Sequence, residues 1–351
     1  MTRVTRFLIA ACSAMVIGLG FWHASTPAPV SLPAATEHGY ASALHAARAG
    51  APGAARLLYQ QLDRADLTPS GQAALFAVLP DYPSPRALRF ARAGLQASSP
   101  VVRRAAVQAV AGLLPVAEQA QVLGPLLDDA DEGVRQAAAM KLLSLGIPQS
   151  GAYGDRLDLV LEGYARDLEN QASDPAAQLQ LATLRLQQGK PALAQSCAHA
   201  VLALQPDNLQ ARVILAKALD RLGSPDEARE TLAEPLREQP DNAFLQHELG
   251  LWLLSHDQPA YALLALAKSV ERAPQNATYR LDLALSLHRL DQPEAAQAQL
   301  DQLVRRHPAN RKARVLLIEY WKQAGQLQNV QVLLAELEQQ NPDDPLLDQG
   351  L

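Results

Sequence analysis

Residues 206–239 read PDNLQARVILAKALDRLGSPDEARETLAEPLREQ, and residues 240–273 read PDNAFLQHELGLWLLSHDQPAYALLALAKSVERA. Both stretches are 34 residues long and open on the same Pro-Asp-Asn, so they fix a register that extends in both directions. From Pro175 onward, Pro206, Pro240, Pro274, Pro308 and Pro342 mark one position in five successive units. Each unit predicts a first helix running to a break at Gly189, Gly223, Asp257, Asp291 or Gly325, then a second helix ending near the proline. Pro191, Pro225, Pro259 and Pro293 fall two residues after the breaks, in the first turn of the second helix, where a missing N–H costs nothing. Asn208, Asn242, Asn276 and Asn310 close the first four units, where a short polar side chain caps the next helix. Each unit is therefore a helical hairpin.

Small residues recur where two helices must approach closely: Ala182, Ala216, Gly250 and Ala284 in the first helix, Ala194, Ala228, Ala262 and Ala296 in the second. Leu181, Leu215, Leu249, Leu283 and Leu317 supply an apolar stripe, faced by Leu232, Leu266, Leu300 and Leu334. This pattern, over residues 175–342, closely resembles the tetratricopeptide repeat family. The fifth unit departs from it, with Ile318 and Val330 at the small positions and Leu327 in place of proline, as suits a terminal repeat.

Upstream, Val102-Arg103-Arg104-Ala105-Ala106 recurs 32 residues later as Val134-Arg135-Gln136-Ala137-Ala138, and Gln72-Ala73-Ala74-Leu75 fits the same frame 32 residues earlier. These stretches resemble HEAT-type repeats over residues 68–147, with Asp131 and Arg135 spaced to pair across one helical turn. The expected organisation is an N-terminal anchor or signal at 1–24, a Pro-rich linker at 25–37, HEAT-like repeats at 38–150, a joining helix at 151–174, five tetratricopeptide units at 175–342 and an acidic tail at 343–351. The fold expected from the resemblance is an all-α, right-handed solenoid of helical hairpins behind a membrane helix.

Composition agrees. Just over one third of the 351 residues are Ala or Leu and only 5% are aromatic, which is poor material for strands and good material for helices. The 36 acidic and 31 basic residues are interspersed, giving a net charge of −5 and no basic field for nucleic acid. Cys12 and Cys197 cannot build a disulfide framework, and no Cys-x-x-Cys-His haem motif occurs. His247-Glu248 opens like a zinc-protease motif, but Leu251 stands where the second histidine would be. With no phosphate loop or nucleophile elbow either, neither an enzyme nor a cofactor is expected. His256 and His307, near hairpin turns and helix ends, read as solvated, and Cys197 as a small core residue.

Arg3 and Arg6 precede a weakly polar to apolar run from Phe7 to Trp22, the charge order of a secretory signal or a signal anchor. No Ala-x-Ala cleavage site follows, so an uncleaved anchor is favoured over a signal removed on export. Ile9-Ala10-Ala11-Cys12 resembles a lipobox, yet the apolar run continues ten residues beyond the cysteine. Either reading sends the remainder across the membrane; for a bacterial chain an anchor gives a single-pass inner-membrane protein with its repeats in the periplasm, and a cleaved signal gives a protein secreted to the periplasm. The order of anchor, HEAT-like array and tetratricopeptide array also resembles the repeat half of bacterial multihaem cytochromes; the resemblance implies an envelope setting.

By family resemblance, first-helix residues line a concave groove, here Gln180, Lys217, Asp220, Phe244, His247, Glu248, Asp282, His288, Glu319 and Lys322. The lining is mixed in sign and lacks the lysine and asparagine constellation that grips a terminal carboxylate, so the expected partner is a protein or an extended peptide carrying both charges. The basic cluster Arg305, Arg306, Arg311, Lys312 and Arg314 faces acidic neighbours and an acidic tail, and reads as self-satisfied. The last repeat is expected to be covered in part by Leu346 and Leu347 and otherwise by a partner or by self-association. The function expected is that of an envelope scaffold; a periplasmic chaperone for cytochrome maturation and a component of polysaccharide export stand as alternatives.

Overall fold

The computed structural model describes residues 39–146 and 152–349. The run Phe7–Trp22 with Cys12, assigned above to a membrane anchor, lies outside the described residues. Among the described residues, no helix is long and apolar enough to cross a membrane. Those residues from Tyr40 onward form one unit.

The first part of that unit consists of α1 (Tyr40–Ala49), α2 (Ala54–Leu62), α3 (Pro69–Val78), α4 (Pro85–Gly94), α5 (Pro100–Leu113), α6 (Val116–Leu123) and α7 (Glu132–Ser144). A longer helix α8 (Gly154–Glu169) follows. The five 34-residue units then give α9 (Pro175–Gln187) and α10 (Pro191–Leu204), α11 (Leu209–Arg221) and α12 (Pro225–Glu238), α13 (Ala243–Ser255) and α14 (Pro259–Arg272), α15 (Ala277–Arg289) and α16 (Pro293–Arg306), and α17 (Arg311–Gln323) and α18 (Leu327–Gln340). Among the described residues there is no strand.

The punctuation of the sequence does what its chemistry dictates. Asn208 accepts a hydrogen bond from the Ala211 amide at 2.9 Å, Asn242 from Leu245 at 3.2 Å, Asn276 from Tyr279 at 3.2 Å and Asn310 from Ala313 at 3.0 Å, so each satisfies an orphan donor of the helix it opens. Gly189, Gly223 and Gly325 end the first helices at positive φ. Asp257 and Asp291 take the same left-handed conformation at φ 54° without a glycine's freedom. The small positions are close contacts: a Cβ on Gly250 would stand 2.7 Å from Leu266 Cγ.

The core is a continuous succession rather than a centre. Leu157, Leu161, Ala165 and Leu168 on α8 are buried in one cluster with residues of α1–α7 and with Ala177, Leu181 and Leu184 of α9, which couples the two arrays. Two further clusters follow through the later units.

The 32-residue repeat upstream has a physical counterpart. Arg103 donates to the Ala97 and Ser98 carbonyls, and Arg135, one repeat later, donates to the equivalent Asp129 and Ala130 carbonyls. Arg103 also makes a bidentate pair with Asp129 at 2.8 and 2.7 Å, tying the two repeats together. The expected Asp131–Arg135 pair does not form. Asp131 instead caps α7 by accepting from the Val134 amide at 3.0 Å, a use of its carboxylate that satisfies a helix donor.

Candidate functional site

The groove residues named from sequence all sit on the first helices of successive units, α9, α11, α13, α15 and α17. The structure joins several of them to one another. Lys217 Nζ lies 2.7 Å from Glu248 Oε2, His247 Nδ1 lies 3.5 Å from Glu248 Oε1, and His247 Nε2 lies 2.9 Å from Asp282 Oδ2. This ladder runs from α11 through α13 to α15 with alternating charge. The His247 ring stacks on Tyr279, centroids 4.5 Å apart, and its side chain is almost wholly buried.

Burial works against the charged imidazole, but the hydrogen bonds and charges of Asp282 and Glu248 outweigh it and raise His247 to about 9. A pKa raised that far favours the charged ring at neutral pH, with Nε2 bonded to Asp282 and the shielded Nδ1 in charge contact with Glu248. Burial likewise opposes the Glu248 carboxylate, and His247 and Lys217 overcome it and hold Glu248 below its ordinary range. Two cations and two anions thus cancel along the ladder.

Asp220 is engaged differently. It accepts from Trp252 Nε1 at 3.3 Å and pairs with His256 Nε2 at 2.8 Å, while the Trp252 and His256 rings stack at 3.9 Å. His256, expected to be solvated, is held by both groups because the hairpin turn lays it over the indole. His307 is half-buried, with its Nε2 shielded from solvent. His288 stacks on Tyr320 at 3.8 Å, and Gln180 accepts from Tyr164 of α8 at 3.0 Å. Glu319 and Lys322 lie on α17, one unit beyond the ladder.

Between α9, α11 and α13 opens a groove of about 430 Å³, lined by Leu179, Thr183, Val213, Lys217, Phe244 and Glu248 among others. A second hollow of about 270 Å³ adjoins it at Lys217, Asp220, Glu248 and Trp252. Lys217 and Glu248 line both, so their ion pair forms the ridge between them. Sequence reading missed Tyr279, Trp252 and Tyr164, which lock the polar groups in place; for Tyr279 and Trp252 the signal available was an aromatic residue on a first helix, and Tyr164 lies on the joining helix α8.

HEAT repeats match residues 55–144, and the tetratricopeptide repeat matches residues 179–243 and 281–345. The third unit, α13 and α14, lies between the two tetratricopeptide matches and folds into the same hairpin. No curated protein matches the chain. Similar solved structures include MamA, 16% identical over 47% of this chain and 91% of that one, TM-score 0.38. A thermophilic TPR protein of Thermus thermophilus, TTC0263, is 21% identical over 54% and 98%, TM-score 0.42. YrrB, described as a TPR protein with an unusual peptide-binding site, is 18% identical over 54% and 97%, TM-score 0.36. The chain is a repeat protein in which HEAT repeats precede tetratricopeptide repeats.

Proposed function

We propose that the chain is a membrane-tethered scaffold that faces the bacterial periplasm and binds a protein or an extended peptide along the first helices of its tetratricopeptide units, organising an envelope complex without catalysis. The observation that carries this reading is the groove at Leu179, Val213 and Phe244, an apolar floor edged by the Lys217–Glu248 pair. Such a site suits a segment that inserts an apolar side chain and hydrogen-bonds at the rim. Because the ladder is internally neutral, apolar contact supplies the affinity and the rim charges supply register. The tether rests on Arg3 and Arg6 ahead of the Phe7–Trp22 run.

Affinity capture from bacterial membranes with the full chain tests the groove. Phe244→Ala and Lys217→Glu are expected to remove one stoichiometric partner that the wild-type chain retains. Capture unchanged by both substitutions would remove the groove from the reading. Protease accessibility of the repeats in spheroplasts tests the tether separately, and repeats protected in spheroplasts and cut only after lysis would reverse the proposed orientation.

A further inference from the structure

The two ends of the repeat array meet. Asn341 Nδ2, just past α18, donates to the Pro83 carbonyl at 2.7 Å across 258 residues of sequence. The Gly53 amide, in the turn between α1 and α2, donates to the Gln339 carbonyl at 2.7 Å. Gly50, in the same turn at φ 62°, lies so close to the last inter-unit turn that a Cβ there would stand 2.6 Å from the Pro308 carbonyl carbon and 2.7 Å from the Ala309 nitrogen. Two backbones touch at Gly50 where any other residue would hold them apart.

Both sides of this contact are built in advance. On one side Tyr82 OH donates to the Ala47 carbonyl at 2.5 Å, Tyr59 OH to the Tyr82 carbonyl at 2.6 Å and Ser84 Oγ to Tyr59 OH at 2.9 Å, fixing the segment around Pro83. On the other, Arg311 makes a bidentate pair with the wholly buried Asp344 at 2.8 and 2.7 Å, folding the acidic tail back onto α17. Arg314, 1% exposed, donates to the Pro308 carbonyl at 2.7 Å and holds the turn that meets Gly50. Asn341, also 1% exposed, is buried by the contact it makes.

We propose that the Gly50–Gly53 turn and the Pro83 segment are an intramolecular lock for the last tetratricopeptide unit, which takes the place of a separate capping helix and fixes the curvature of the groove before any partner binds. Of the cover expected from Leu346 and Leu347, the part from Leu346 is present. Leu346 packs against the same core cluster as Leu334, and the end of α18 is held in addition by the chain's own first hairpins. A superhelix held at both ends has its curvature set by the lock as well as by its stacking.

Hydrogen exchange of the full chain, read on peptides spanning 50–56 and 336–346, tests the lock. The Gly53 amide sits in a turn and is protected only if it is bonded to Gln339. In Gly50→Ala and in the double variant Arg311→Ala/Asn341→Ala, exchange in both peptides is expected to quicken by about 5- to 30-fold, with α9–α15 unchanged as evidence of folding. Gly146→Ala is the control, because Gly146 has a matching φ of 64° and nothing within 4 Å of its Cβ. Rapid exchange in the wild type, equal effects of Gly50→Ala and Gly146→Ala, or protection that rises with concentration as in an exchanged dimer would each overturn the proposal.

Discussion

His247 Nε2 and Asp282 Oδ2 stand 2.9 Å apart although the residues lie 35 positions apart on helices of consecutive units. Here α13 and α15 meet through side chains displaced one residue from the 34-residue period. The ladder from Lys217 to Asp282 binds three units together along the surface a partner would contact. It is a stability element and, in the function proposed, a recognition surface at once.

The first prediction follows from the sign of the His247 shift. Its pKa in the fold, about 9, lies above the ordinary 6.5, so the pair stabilises the fold fully below pH 6.5 and loses that contribution as pH rises through about 9. Urea midpoints across this window should fall in the wild type, by an equivalent of roughly 1–2 kcal/mol. His247→Gln should lower the midpoint at pH 6.5 and leave it nearly flat to pH 9. An equally steep fall in the variant would place the titration elsewhere.

Gly250 supplies the second. Gly250→Ala puts a Cβ 2.7 Å from Leu266 Cγ and 3.1 Å from its backbone nitrogen, so α13 and α14 must separate. A cost of about 1–3 kcal/mol is expected from overpacking. Gly163→Ala, on α8 with nothing within 4 Å of its Cβ, should instead stabilise by about 0.5–1 kcal/mol through helix propensity. Chemical denaturation of the two variants should move in opposite directions.

What was legible in the sequence was whatever a period can carry. The prolines, the asparagine caps and the small residues repeat every 34 positions because each performs a local task that every hairpin shares, and the helices begin and end where those residues dictate. The site was half legible: Lys217, His247, Glu248 and Asp282 were named as a lining of a groove, but their mutual pairing depends on the rotation between units, which no single unit encodes. His256 was misread for a related reason, since its partner Asp220 belongs to the preceding unit. The meeting of Asn341 with Pro83 was invisible, because a periodic pattern describes neighbours only. Its traces, an unusually placed Gly50 and a polar pair at Arg311 and Asp344, are departures from the period and carry meaning only once the ends are seen together.

Asp257 and Asp291 give the third prediction. Both end a first helix at φ 54°, where the other units place glycine. A Cβ in the left-handed region crowds the adjacent carbonyl. Asp257→Gly and Asp291→Gly are each expected to raise stability by about 0.5–1 kcal/mol, additively because the sites are a full unit apart. A loss of stability in either would show that the aspartate side chain compensates for its backbone.

The last prediction concerns Asp81, which closes the short helix Leu79–Asp81 beside the Pro83 contact. Burial pushes its carboxyl up to about 6, and the Arg311 amide and guanidinium keep it from rising further. A carboxyl raised in the fold favours the folded form fully below its ordinary 3.8 and loses that contribution as pH climbs through about 6. The contact between the first hairpins and α17 should therefore be tighter near pH 4 than near pH 7. Hydrogen exchange in the 50–56 peptide, corrected for the intrinsic pH dependence of exchange, should show more protection in acid in the wild type and lose that difference in Asp81→Asn. This window lies below the one assigned to His247, so a single pH series reads both groups without overlap. Persistence of the acid-side change in Asp81→Asn would show that Asp81 does not carry it.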